Sequence, residues 1–88
     1  MDALLDQFIS YLTVERGLSS NTLEAYSRDL ILYVGFLSGE GITSPAEIRP
    51  LQVASFIAHL RDRGLSPRSR ARALSALRMF HRFLLRER

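Results

Sequence analysis

The amino-acid sequence predicts an all-α fold of four helices in two pairs, and three observations support this prediction. Apolar residues recur three and four positions apart nearly everywhere, and no stretch alternates in the manner of a strand. Glycine and proline residues divide the chain into four such segments. The 88 residues suffice for one domain that buries roughly 60–65% of its unfolded surface, so a large enclosed active site is not expected.

The first two predicted helices occupy residues 2–16 and 20–38. The first ends before Gly17, which suits the left-handed position that follows a helix, and the second closes at Gly39. The second half of helix 2 is apolar on all sides, so we expect it to be covered on two sides, with Gly35 permitting a close helix approach. The inward stripes comprise Leu4, Leu5, Phe8, Ile9 and Leu12 in helix 1, and Leu23, Tyr26, Leu30, Tyr33, Val34 and Leu37 in helix 2.

A long connection at residues 39–50, "GEGITSPAEIRP", separates the two helix pairs and is expected to hold one short turn after Ser44. Helix 3 is predicted at residues 50–62 and is stopped by Gly64. Helix 4 is predicted at residues 67–87. The inward residues are Val53, Phe56, Ile57 and Leu60 in helix 3, and Ala73, Leu74, Leu77, Phe80, His81, Leu84 and Leu85 in helix 4.

A weak internal repeat precedes helices 2 and 4. Residues 15–26, "ERGLSSNTLEAY", and residues 62–74, "DRGLSPRSRARAL", share an acid followed by Arg-Gly-Leu-Ser. In each copy glycine ends one helix and serine caps the next, at Ser19 and Ser66, with Pro67 at the first helical position of the second copy. Helices 2 and 4 are therefore predicted to begin alike, although any tight helix connection favours these residue types.

The composition restricts the chemistry and the compartment. The absence of cysteine excludes disulfides, thiolate metal sites and a cysteine nucleophile, and it favours the reducing cytoplasm. The start "MDALLDQ" does not resemble a signal peptide, and the longest apolar run, "LILYVGFL", is too short to cross a bilayer. We therefore expect a cytoplasmic domain with no membrane partner.

Positive charge is concentrated at the C-terminal end. Residues 1–65 contain five arginines and eight acids, whereas residues 66–88 contain seven arginines and only Glu87. This asymmetry suggests a polyanion or an acidic protein surface as the partner. All twelve cations are arginines, a bias that a GC-rich genome also produces, but arginine forks suit phosphates and guanine edges.

The outward face of helix 4 is predicted to form a stripe of donors that continues onto the start of helix 2. Cations at a helix start cost about 0.3–1 kcal/mol each in the free protein but become favourable when phosphates bind there. Arg68 and Arg78 are separated by about 15 Å of helix, comparable with the roughly 12 Å width of a DNA major groove. The outward residues of helix 4 are Arg68, Arg72, Ser75, Arg78, Arg82 and Arg86.

These observations select candidate contacts to double-stranded DNA on both helices. The substitutions Arg72→Glu and Arg78→Glu are each expected to weaken DNA binding strongly while leaving the melting temperature nearly unchanged. The candidate DNA-binding residues are Asn21, Thr22, Arg28, Arg68, Ser69, Arg72, Ser75 and Arg78, with the helix caps Ser19 and Ser66 beside them.

The remaining chemically versatile side chains are assigned packing roles. His59 and His81 lie on or near inward stripes, so we interpret them as core or boundary residues. Arg70 and Arg88 fall on the apolar side of helix 4 and are not selected as contacts. No catalytic residue, metal ligand, cofactor or small-molecule substrate is predicted. The tyrosines Tyr11, Tyr26 and Tyr33 are likewise expected to pack.

Two segments resemble the core-binding domain of tyrosine site-specific recombinases, especially the Xer type. Residues 16–37, "RGLSSNTLEAYSRDLILYVGFL", are similar to the family pattern R-x-L-S-x-N-T-L-x-A-Y-x-R-D-L followed by aromatic residues. Residues 63–87, "RGLSPRSRARALSALRMFHRFLLRE", are similar to the second pattern, R-G-L-S-x-x-S-x-x-R-x-L-S-A-L-R-x-F. The departures are Pro67 at the start of helix 4 and His81, where tyrosine is common.

The resemblance implies a SAM-like domain of two crossed helical hairpins that forms half of a C-shaped clamp around duplex DNA. Helices 2 and 4 would enter the major groove at the recombination core site, in a protein that resolves chromosome dimers together with a paired recombinase subunit. The positions that match the family patterns are Ser19, Asn21, Thr22, Tyr26, Arg28, Ser66, Ser69, Arg72, Ser75 and Arg78, whereas Arg68 is selected by charge and facing alone.

The resemblance also implies that catalysis lies outside these residues. The family uses a tyrosine nucleophile with arginines, a lysine and histidines in a second domain, whereas this sequence has no lysine and no His-x-x-Arg. We therefore expect an N-terminal fragment, cut before the interdomain linker, that cannot exchange strands alone. A phage-type integrase arm and a helical protein-interaction module are the alternative interpretations.

Overall fold

Two helical hairpins cross to form the domain in the computed structural model, which describes residues 1–86. The first hairpin contains α1 (Asp2–Val14) and α2 (Ser20–Gly39), and the second contains α3 (Pro50–Asp62) and α4 (Pro67–Arg86). A short 3₁₀ turn at Pro45–Glu47 lies in the connection between them. The described residues contain no strand, so the predicted all-α fold is confirmed. The predicted extension of helix 4 to residue 87 lies outside the described residues.

Glycine in the left-handed region closes each hairpin. Gly17 has a φ of 58° between α1 and α2, and Gly64 has a φ of 90° between α3 and α4. Residues with a Cβ are strained in this conformation, which explains why both turns use glycine. Both repeated segments thus turn at a left-handed glycine, but α1 ends at Val14, three residues before Gly17 and earlier than the predicted residue 16, whereas α3 ends two residues before Gly64.

Aromatic side chains join the two hairpins in a single core. Phe8 of α1 packs on Phe80 of α4 with ring centroids 5.3 Å apart, and Tyr33 of α2 packs on Phe56 of α3 at 5.1 Å. All four side chains are completely shielded from solvent. Because these contacts connect all four helices, the relative positions of α2 and α4 are determined by the same core.

Three apolar side chains that were predicted to be covered are instead exposed. Ile31 and Leu32 of α2 are 59% and 37% exposed, and Leu85 of α4 is 62% exposed. The prediction of close approach at Gly35 is also wrong, because a Cβ built there would have no neighbour within 4 Å. Three partner helices cover only part of the circumference of α2, so an all-round apolar sequence leaves one side in solvent.

None of the helices within residues 1–86 is both long and apolar enough to span a bilayer.

Candidate nucleic-acid interface

The first turns of α2 and α4 have the same capping geometry. The Thr22 backbone N–H donates to Ser19 Oγ at 3.3 Å, and the Ser69 backbone N–H donates to Ser66 Oγ at 3.2 Å. Each capping hydroxyl also donates to the hydroxyl three residues later, at 2.9 Å for Thr22 and 3.2 Å for Ser69. The predicted caps are therefore confirmed. The accepting hydroxyl of Thr22 or Ser69 keeps its own hydrogen for a further acceptor.

A bidentate ion pair joins the first half of α2 to that of α4. Arg72 donates from Nε to Asp29 Oδ2 and from Nη2 to Oδ1, both at 2.9 Å. Asp29 is only 2% exposed, and the Arg72 side chain is 35% exposed. The hydrogen bonds to Asp29 raise the pKa of Arg72, so its guanidinium is charged at neutral pH.

This ion pair corrects the prediction that Arg72 lies on the outward stripe with its guanidinium facing solvent. Two of its five N–H groups donate to a carboxylate of the neighbouring helix, so Arg72 joins the helices and keeps the Nη1 hydrogens and one Nη2 hydrogen for another acceptor. The expectation that its replacement leaves stability unchanged is withdrawn for the same reason. Breaking a pair whose carboxylate is buried leaves that charge without compensation.

Two polar side-chain contacts join α2 to α4. Asp29 pairs with Arg72, and four residues later Tyr33 OH lies 2.9 Å from His81 Nε2. Asp29 lies ten residues after the cap Ser19, and Arg72 lies six residues after the cap Ser66. That the two capped turns share one face of the domain remains a prediction.

Five of the eight predicted DNA contacts are exposed. Asn21 and Arg28 on α2 are seven residues apart and share one side of the helix, as the helical period requires. On α4, Arg68 and Ser75 also share one side, and Arg78 lies about 60° further round. All five side chains are exposed, whereas Thr22, Ser69 and Tyr26 are partly buried.

Electrostatics favour an anion along α4. Residues 67–86 contain six arginines and no carboxylate, so nothing within the helix neutralises its positive charge. At the far end Arg86 Nη1 donates to Tyr11 OH at 3.2 Å. This hydrogen bond, together with one from Arg16, lowers the pKa of Tyr11. Arg86 is therefore directed toward α1 rather than along the predicted stripe.

Sequence reasoning missed Asp29, the residue that pairs with Arg72 and so joins α2 to α4. A signal was present, because Asp29 lies three residues after Tyr26 and four before Tyr33 and therefore falls on the inward stripe of α2. A carboxylate at such a position requires a cation or several hydrogen-bond donors. Which of the twelve arginines supplies them depends on tertiary structure.

The three tyrosines and His81 are buried or partly buried, as predicted from the sequence, whereas His59, predicted to be a core or boundary residue, is not buried. Burial raises the pKa of Tyr33 to about 12 and lowers the pKa of its partner His81. His59 is exposed and lies with its ring centroid 5.3 Å from that of Phe36. Within residues 1–86 no group of three or more histidine and acidic side chains is arranged to hold a metal ion.

Comparisons with known proteins agree with this geometry. Residues 5–88 match the family described as phage integrase, N-terminal SAM-like domain. Tyrosine recombinase XerD of Listeria monocytogenes serotype 4b is 39% identical over 88 residues, which cover 99% of this chain and 30% of the relative. XerD of Halalkalibacterium halodurans is 44% identical over 84 residues, covering 94% of this chain and 28% of that protein. XerD of Pseudomonas putida is 45% identical over 84 residues, covering 96% of this chain and 28% of that protein.

The chain thus spans about 30% of the length of these curated relatives. No solved structure gives a significant match.

Proposed function

The chain belongs to the phage integrase N-terminal SAM-like domain family, and we propose that it binds duplex DNA through the first halves of α2 and α4. Its relatives identify it as the N-terminal domain of an Xer-type tyrosine recombinase. One observation supports the proposal: the Asp29–Arg72 pair joins α2 to α4, and residues 67–86 of α4 include six arginines and no carboxylate. Helix starts and exposed arginines are the groups that bind phosphates.

The proposed contacts divide by chemistry. Arg28, Arg68 and Arg78 are exposed cations suited to phosphates or to guanine edges in the major groove. Asn21 offers both donor and acceptor, and the Thr22, Ser69 and Ser75 hydroxyls suit phosphate oxygens. Arg72 contributes through the N–H groups that Asp29 does not use and by joining the two helices.

The biological setting is proposed from the relatives. The curated relatives are named tyrosine recombinases, and this chain corresponds to less than a third of their length. We infer that the present residues bind the recombination core site while the DNA-cleaving and rejoining chemistry belongs to the remainder of such a protein. Chromosome dimer resolution in the bacterial cytoplasm, with a paired recombinase subunit, is the proposed role.

Titration of a labelled DNA duplex at several salt concentrations tests the proposal. Four to six phosphate contacts predict a slope of roughly −3.5 to −5.5 in a plot of log affinity against log salt. A flat response, or no binding at low salt, would reject DNA as the ligand and favour a helical protein-interaction module. If the domain bound DNA but did not prefer a recombination core site over other sequences, a phage-type integrase with a different target would be favoured.

A further inference from the structure

A second surface of the domain is an apolar groove between α3 and α4, on a side of α4 different from the one that pairs with Asp29. Arg70 lines the groove and Arg72 does not, and two helical positions place their side chains on nearly opposite sides of α4. The groove has a volume of about 940 Å³. Its apolar lining comprises Ile48, Val53, Ile57, Leu74, Leu77, Leu84 and Leu85.

Several apolar side chains that line the groove are exposed to solvent or only partly buried. Leu85, at its edge, is 62% exposed, and Val53, Ile57 and Leu74 are only partly buried although they are packed beside the core. A contiguous apolar surface with a polar rim is characteristic of an interaction site. Tertiary packing within residues 1–86 leaves this surface uncovered.

The rim of the groove carries positive charge on both sides. Arg49 and Arg61 line it from the α3 side, and Arg70 and Arg78 line it from α4, whereas no carboxylate within residues 1–86 is among the lining residues. Arg61 makes only a long, exposed contact of 3.5 Å with its neighbour Asp62. The positive electrostatic potential over the groove therefore favours an anionic partner. The apolar floor favours a partner that also presents hydrophobic side chains.

We propose that this groove binds an acidic amphipathic α-helix supplied by another protein. Its apolar side would pack on the floor between α3 and α4, and its flanking carboxylates would pair with the four arginines. A helix fits better than an extended peptide because the described residues present no sheet edge for backbone pairing. With 13 residues, α3 is about 20 Å long, which matches three to four turns of a docked helix.

The proposal is independent of DNA binding in its principal residues. Arg49, Arg61 and Arg70 take no part in the proposed DNA contacts, and only Arg78 belongs to both surfaces. The proposal thus gives a ligand to Arg70, an arginine of α4 that the proposed DNA interface does not use.

The test uses two synthetic helical peptides of about fourteen residues with the same leucine pattern. One has glutamate beside the apolar stripe, and the other has lysine at the same positions. Fluorescence anisotropy at moderate salt is expected to show binding of the glutamate peptide and at least about tenfold weaker binding of the lysine peptide. Equal binding of both peptides, or of neither, would overturn the proposal.

Variants of the protein locate the binding. Ala54→Glu introduces a negative charge at an exposed helical position that lines the groove, and it should weaken the glutamate peptide about tenfold. Ala3→Glu, at an exposed position of α1 away from the groove, is the matched control and should have no effect. Arg70→Glu should also weaken binding. Circular dichroism would verify that each variant retains its helices.

Two other occupants would be recognised in the same experiments. If a second copy of the chain filled the groove, sedimentation without peptide would reveal a dimer that Ala54→Glu dissociates. If DNA filled it, duplex DNA would shift the NMR signals of Ala54 and Ile57. Either result would overturn the assignment to an acidic helix while leaving the α2–α4 interface to be judged by the salt titration.

Discussion

Arg72 and Asp29 meet at two hydrogen bonds of 2.9 Å, although 43 positions separate them in the sequence. The carboxylate is buried and the guanidinium is partly exposed, so the pair links the inside of α2 to the surface of α4. A residue that matches a recombinase sequence pattern thus has a structural role in addition to any role at the DNA. This dual role has measurable consequences.

Removal of either partner should destabilise the domain. Asp29→Ala and Arg72→Ala are each expected to lower the free energy of unfolding by about 2–3 kcal/mol, because each leaves a charged group without its hydrogen bonds. Urea denaturation would measure the loss. Arg28→Ala, at the neighbouring exposed position, is the control and should change stability by no more than about 0.5 kcal/mol.

The double variant distinguishes a true pair from two separate effects. Removing both groups should cost clearly less than the two single costs combined, because no unpaired charge remains. Additive single effects would contradict the pairing.

Charge reversal at exposed arginines should separate DNA binding from stability. Arg68→Glu and Arg78→Glu are expected to weaken binding to a labelled duplex at least tenfold at about 0.1 M salt, and to reduce the salt slope by about one unit each. The melting temperature should change little because both side chains are exposed.

Arg49→Glu is the matched control for these variants. It lies just before α3, and the antiparallel arrangement of α3 and α4 places this end beside Leu84 and Leu85, far from the start of α4. An equal loss of affinity in Arg49→Glu would indicate a general charge effect rather than a localised interface.

Protonation of His81 should destabilise the domain below neutral pH. Burial lowers the pKa of His81 in the folded protein from its usual 6.5, so the unfolded chain binds a proton at a higher pH than the folded domain does. The stabilising contribution is therefore complete above about pH 6.5 and is lost as the pH falls through the lower folded value.

Urea denaturation between about pH 7 and pH 5 would measure this dependence. His81→Gln, which retains an acceptor for the Tyr33 hydroxyl, should flatten the profile, whereas the exposed control His59→Gln should not. A wild-type stability that rises on acidification over this interval would contradict the prediction.

Glycine-to-alanine substitutions should have opposite effects at two positions. Gly35→Ala, inside α2 where a Cβ would meet open space, should stabilise the domain by about 0.5–1 kcal/mol. Gly64→Ala, at a φ of 90°, should destabilise it by about 1–2 kcal/mol because a Cβ is strained there. Thermal melting of the two variants provides the measurement, and a shift in the same direction for both would be inconsistent with these conformations.

Sequence periodicity by itself determined the four helices, the two serine caps and the accumulation of arginines on α4. These features depend on residues three and four positions apart, so local spacing and turn chemistry are sufficient to predict them. Tertiary structure decided which of these side chains are free to contact a ligand and which are paired or buried within the domain. It paired Arg72 with a buried carboxylate, left Ile31 and Leu85 in solvent, and placed Arg70 at the rim of an apolar groove. Those outcomes depend on which distant segment packs beside each helix, and helical spacing contains no information about that neighbour.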